Sequence, residues 1–214
     1  MQQFSLSVPR AARIFALNED KTGITDIWIT VHGYGQLAKY FLRHFEEMAA
    51  ENTHILVLAP EGLSRYYLDG FSGRVGASWM TKEDREHEIA DQSAYFDRLA
   101  ANFLAQFPQA KLHLLGFSQG IATAWRWLCN GQYNIASLTL WAGEVPQEFP
   151  PLLQKRLENI PIHYVYGLED ELIAPLMFEQ QYEALKGHFP QMISYTFEGK
   201  HTLDKEVLKA LASV

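Results

Sequence analysis

The stretch Leu112-His113-Leu114-Leu115-Gly116-Phe117-Ser118-Gln119-Gly120-Ile121-Ala122-Thr123-Ala124-Trp125 decides how the rest of the chain is read. A short β-type run enters Gly116, and residues of helical character leave Gly120. Strand, tight turn and helix in that order form the context of a nucleophile elbow, where a serine occupies the apex of the turn. The residues two before and two after such a serine are crowded by the approach of strand and helix. Both must be small, and both are glycine here. The helix behind Ser118 directs its N-terminal dipole and free N–H groups at the place where negative charge develops in acyl transfer. A bare Gly-x-Ser-x-Gly also occurs in ordinary turns, so the pattern gains weight only from its flanks and from partners elsewhere.

The flanks repeat one theme. On the N-terminal side, residues 3–8 and 12–17 alternate weakly and predict two short edge strands, followed by a polar turn at 18–23. Residues 27–31 are a compact apolar run that stops at His32-Gly33-Tyr34-Gly35, which predicts a buried strand. A helix is predicted over 37–50, with Phe41, Phe45 and Met48 on one face, and a strand over 54–59. Residues 61–80 are rich in Gly and aromatic residues without a clear period and read as a long functional loop. A long helix follows over 82–107, with Thr81 as its N-cap. Beyond the 111–116 strand and the 119–130 helix come strands at 136–141 and 161–166. A helix at 178–189, a strand at 191–197 and a closing helix at 204–212 complete the series. Strands alternating with helices at these spacings predict an α/β fold whose mostly parallel sheet is covered on both faces.

Composition bounds the remainder. The chain has 214 residues, 48% hydrophobic and 20% charged, which suits one globular domain spanning 1–214 and leaves little room for a cap domain. A formal net charge of -7 disfavours nucleic acid as a partner, since phosphate binding needs a basic face. One cysteine, Cys129, excludes an internal disulfide and a thiolate-rich metal site; it reads as a small apolar residue on a helix. No metal or nucleotide motif is present, so neither a metal nor another cofactor is expected. The N-terminal residues lack a signal-peptide pattern and no apolar run reaches transmembrane length, from which a cytoplasmic enzyme without stable membrane insertion is expected.

If Ser118 is a nucleophile, an acid and then a histidine should follow it in the chain, each just past a strand end on one edge of the sheet. The 161–166 strand runs into Gly167-Leu168-Glu169-Asp170-Glu171, which offers Asp170. The 191–197 strand runs into Glu198-Gly199-Lys200-His201 before the last helix, which offers His201. Among eight histidines, His201 alone is both late in the chain and in a strand-to-helix turn; His32 reads as structural, and His113 and His163 lie within strands. His201 would take the serine proton and return it to the leaving group, and Asp170 would hold the useful tautomer. Gly33 and Gly35 permit a turn that aims a main-chain N–H inward, so Tyr34 and Gln119 are the expected oxyanion donors through their backbone.

Together, His32-Gly33-Tyr34-Gly35, Gly116-Phe117-Ser118-Gln119-Gly120, Gly167-Leu168-Glu169-Asp170 and His201 resemble the carboxylesterase/phospholipase family of α/β-hydrolases, which includes acyl-protein thioesterase-like enzymes. The resemblance covers nearly the whole chain and implies a capless α/β-hydrolase fold. It also implies a Ser118-Asp170-His201 triad, with Tyr34 and Gln119 as oxyanion donors. Three departures stand out: Gln36 replaces a frequent acidic residue, Pro175 falls one position late, and Lys200 precedes the histidine where glycine is common.

The expected chemistry is hydrolysis of a small carboxylic ester or thioester through an acyl-enzyme. A dienelactone-hydrolase-like or peptidase-like activity is the alternative on the same scaffold, as is a non-catalytic hydrolase-like binding protein. Phe71, Trp79, Met80 and Trp141 are the expected substrate-contacting residues, although the same side chains can simply pack their loops.

Overall fold

The structure, a computed structural model, describes every residue except Gln3 and Val214. Its frame is a seven-stranded sheet. In chain order the first strands are β1 (Ile14–Leu17), β2 (Asp26–Val31) and β3 (Ile55–Pro60). After them come β6 (Lys111–Phe117), β7 (Ser137–Trp141), β8 (Ile162–Gly167) and β9 (Ile193–Phe197). A separate antiparallel hairpin is formed by β4 (Ser64–Tyr67) and β5 (Val75–Ser78). Across the sheet the order is β1-β3-β2-β6-β7-β8-β9, and only β1 runs antiparallel to its neighbour. Every residue of β3, β7 and β8 is buried, so both faces of those strands are covered.

The helices are α1 (Ala38–Phe41), α2 (Glu46–Glu51), α3 (Arg85–Gln106), α4 (Gln119–Asn130), α5 (Pro151–Leu157), α6 (Pro175–His188) and α7 (Lys205–Ala212). The α3 and α5 helices pack on α4, while α7 packs on α2. The core joins them through large apolar side chains, among them Trp79, Trp125, Trp127, Phe45 and Phe96.

Strand order explains where a site can form. The chain lays β3 on one side of β2, then crosses and builds β6 to β9 outward on the other side. Connections leaving β2 and β6 therefore depart in opposite directions, and a crevice opens between the C-terminal ends of these two strands. Val31 pairs with Gly116 there, so the segments after Val31 and after Phe117 meet in that crevice.

Several predicted elements differ from the observed ones. No strand forms at 4–8, where Phe4, Leu6 and Val8 are exposed and find no sheet to join; Gln3 lies outside the described residues. The helix predicted over 37–50 is divided by a 3₁₀ turn at Leu42–Phe45, whose eclipsed ends, Leu42 and Phe45, are both buried. Within 61–80, the β4–β5 hairpin turns through Gly70 and Gly73, both at positive φ. The long helix begins at Arg85, because Asp84 before it holds a left-handed φ of 50° that breaks the helical path; Thr81 accepts from the Glu83 N–H upstream of that break. The α5 helix has no sequence signal strong enough to predict it: it starts at Pro151, and its only buried side chains are Leu153 and Leu157, too few to show a period.

Candidate active site

Ser118 lies between β6 and α4 with φ 54° and ψ -121°, a conformation that a non-glycine residue holds only where its surroundings over-determine it. Here they do. A Cβ at Gly116 would stand 2.7 Å from the Ile121 Cα, and one at Gly120 would overlap the Val31 carbonyl, so strand and helix meet at backbone contact. The Ser118 N–H donates to the Trp141 carbonyl at 2.8 Å, which ties the apex to the end of β7.

Asp170 and His201 come together at the same sheet edge, past the ends of β8 and β9. The His201 Nδ1 stands 2.8 Å from the Asp170 Oδ2. The other carboxylate oxygen, Oδ1, accepts from the Leu172 and Ile173 N–H groups at 2.9 and 3.0 Å. With its side chain fully enclosed, Asp170 has its acceptors committed and its position set. The two loops are laced together: Leu168 N–H donates to the Phe197 carbonyl and Glu169 N–H to the Gly199 carbonyl, each at 2.9 Å. Beyond His201, the Trp141 indole donates to the Thr202 carbonyl at 2.9 Å. The His201 ring rests on Phe117, the neighbour of Ser118, with centroids 5.0 Å apart. Among the described residues, Ser118 Oγ and His201 Nε2 share no hydrogen bond; contacts of this kind tighten when substrate binds.

The loop after β2 closes the other side. His32 is fully buried, with Nδ1 2.7 Å from the Gly33 carbonyl and Nε2 accepting from the Gly62 N–H at 3.0 Å. These partners require the neutral Nδ1–H tautomer, and burial lowers the pKa to match. Gln36 closes the turn by accepting from the Gly33 N–H at 2.8 Å, a task that the frequent acidic residue at this position could also perform. Gly35 donates to Ala77, and Ala77 donates to Gln36, which fastens the turn to β5. Among the described residues, no group accepts from the main-chain N–H of Tyr34 or Gln119.

The Gln119 side chain is a latch. Its Oε1 accepts from the Trp79 N–H at 3.2 Å, and its Nε2 donates to the Met80 carbonyl at 3.0 Å. Sequence patterns gave no sign of this role, nor of the one played by Gln36.

A cleft of about 360 Å³ opens beside Ser118, lined by Gln119, Ala122, Arg126, Glu144 and Ile173 among others. Of the expected substrate residues, Met80 alone approaches it, with its sulfur 3.2 Å from the Arg126 Nη1. Trp79 and Trp141, expected to contact substrate, do not line the cleft. Both are completely buried: Trp79 stacks near His32 and Phe96 and donates to the His32 carbonyl, while Trp141 anchors the turn after His201. They hold the site together and present no surface to a ligand. Phe71 stands at the hairpin tip with 99% exposure and is missing from the cleft lining.

A second Ser-His-Asp set exists elsewhere. His113 Nδ1 lies 2.7 Å from the Ser137 Oγ, and Nε2 lies 2.8 Å from the Asp26 Oδ1. All three residues sit toward the N-terminal ends of β2, β6 and β7, and Ser137 shows no positive φ. Among the described residues, no helix is long and apolar enough to cross a membrane.

Comparison with known proteins agrees with this frame. The family model described as Phospholipase/Carboxylesterase matches residues 13–214. Comparison with the curated proteins returned no match by sequence. Acyl-protein thioesterase 2 of Zea mays superposes with a TM-score of 0.72 at 20% identity, covering 95% of this chain and 97% of that one. Esterase PE8 gives 0.70 at 16% identity, covering 94% and 96% respectively. A carboxylesterase from Mesorhizobium loti gives 0.71 at 14% identity, covering 94% and 93%. At such identities the likeness is one of fold, whereas the family match spans nearly the whole sequence. The chain belongs to the phospholipase/carboxylesterase family of α/β-hydrolases.

Proposed function

We propose that this protein hydrolyses carboxylic esters or thioesters through an acyl-enzyme on Ser118, with His201 as general base and acid and Asp170 as its orienting carboxylate. In acylation, the Ser118 oxygen attacks the substrate carbonyl while its proton passes to His201 Nε2. The tetrahedral oxyanion lies toward the Tyr34 and Gln119 N–H groups, which have no other acceptor among the described residues. As the intermediate collapses, the bond to the leaving alcohol or thiol breaks and that group takes the proton from His201. Water then repeats the sequence, releasing the acid and restoring Ser118. Asp170 stabilises the imidazolium formed in each half-reaction.

One observation carries the reading: a serine held at φ 54° next to Phe117, on which a carboxylate-bound histidine rests. Turnover of p-nitrophenyl esters tests it. The protein should hydrolyse p-nitrophenyl butyrate, and Ser118→Ala should lower kcat by roughly 10⁴-fold or more. Equal turnover by both proteins would rule out Ser118 as the nucleophile.

A further inference from the structure

On α4, the residues that keep some exposure include Gln119, Ala122 and Arg126, spaced by three and then four positions, so they form one stripe along the helix. All three line the cleft that contains Ser118. Arg126 lies eight residues beyond Ser118, a rise of roughly 12 Å along the axis. Side chains on a helix lean toward its N-terminus, and an arginine spans most of the remaining distance. The small Ala122 between them leaves the floor of the cleft open.

Arg126 is poorly satisfied by the protein. Among the described residues, its Nη1 meets only the Met80 sulfur, a weak acceptor. Its Nε is buried and has no hydrogen-bond partner among the described residues. No carboxylate lies within ion-pair distance of it among those residues: Glu148 is paired with Arg85 at 2.8 Å, and Glu144, on the rim, is exposed and unpaired with Arg126. Burial, and after it the nearby Arg85, disfavours the charge on Arg126, with Glu148 partly opposing. A planar fork of donors held beside a reacting serine with weak protein acceptors suits a carboxylate, which accepts two parallel N–H bonds.

We propose that Arg126 determines the specificity of the Ser118 cleft by binding a carboxylate carried by the ester substrate, about two to four carbons from the scissile carbonyl. The inference rests on the Ser118 hydrolase reading and gives its substrate a charge. The carboxylate can sit at the far end of the acyl chain, as in the monoester of a short dicarboxylic acid, or on the leaving alcohol. Arg126 is a binding residue in either case.

Two pairs of esters separate these sources. On the acyl side, p-nitrophenyl hemiglutarate is compared with p-nitrophenyl valerate; on the alcohol side, p-butyryloxybenzoate is compared with p-methylphenyl butyrate. For each protein the readout is the ratio of kcat/KM, anionic over neutral. The wild type should favour the anionic ester in one pair, which names the side. Arg126→Gln should cut that ratio by about tenfold or more, and Arg126→Lys should keep part of it. Labelling of each variant by a fluorophosphonate confirms that it is folded and active at Ser118. A wild-type ratio at or below one in both pairs, or a ratio unchanged by Arg126→Gln, overturns the role of Arg126 while leaving the hydrolase reading intact. Absence of both turnover and labelling in the wild type overturns the hydrolase reading, and this inference with it.

Discussion

Ser118 and Ser137 have the same side chain; Ser137 is hydrogen-bonded into a Ser, His and Asp set and Ser118 is the serine proposed for another, yet the two sites differ in what surrounds them. Ser137 pairs with its histidine across regular strands toward the N-terminal edge of the sheet. Ser118 stands on a strained apex at the C-terminal edge, before a helix and beside two main-chain N–H groups with no acceptor among the described residues. Residue types alone do not separate these sites; chain order and position at strand ends do. That is why the elbow at Ser118 and the strand-end loops carrying Asp170 and His201 stand out in the sequence, and why these three residues are the proposed catalytic set. Arg126 does not stand out, because an isolated arginine on a helix becomes informative only once its unpartnered Nε and its place in the cleft are known. The acid gives a test at this scale. Asp170→Asn preserves shape but removes the charge and can flip the histidine tautomer, so kcat should fall roughly 10⁴-fold with the fold retained. Kinetics on p-nitrophenyl butyrate, with urea unfolding as the folding control, check this; a kcat within about tenfold of wild type would remove Asp170 from the mechanism.

Between Ser118 and the core, the segment 78–80 acts as a strap held by side chains. Gln119 grips Trp79 and Met80, while Trp79 reaches under the strap to the His32 carbonyl. Gln92 also donates to the Trp79 carbonyl. Gln119→Ala keeps the main-chain N–H expected in the oxyanion hole but releases the latch. It should cost about 1–3 kcal/mol of stability and speed amide exchange at Trp79. Hydrogen exchange reads this directly, and unchanged protection at Trp79 would show that the strap is held by its other contacts. Most of the sheet strands are legible because short runs dominated by apolar residues, as in β3, end at turn signals. The β4–β5 hairpin is not: its strands are four residues each, and burial in β4 alternates only weakly around a glycine-bearing turn. Division of the 37–50 helix is not legible in the sequence because its buried residues fit either helical geometry, and only packing selects the tighter turn.

At the scale of the whole molecule, the crossing from β3 to β6 sets the crevice, and the order Ser118, Asp170, His201 follows from strands laid down outward from it. The same compact frame buries histidines. His32, His44, His113 and His163 all have pKa values lowered from 6.5, with burial the largest cause in each. The unfolded chain binds protons near that value, while the folded protein resists them until lower pH. Stability is therefore fully present above 6.5 and declines as pH falls below it, by up to about 1.4 kcal/mol per pH unit for the deeply buried His32 and by less for the partly exposed others, where solvent screens the effect. His87 shifts the opposite way but is fully exposed, so its contribution is screened. Urea midpoints should fall between about pH 8 and about pH 5; a flat or rising profile would contradict this balance. The central claim, that Ser118 is an activated nucleophile, has a more direct test. Treat the wild type and Ser118→Ala with a fluorophosphonate and measure intact mass. One adduct per chain is expected in the wild type, located at Ser118, and none in the variant. An unlabelled wild type, or equal labelling of both proteins, would contradict the claim.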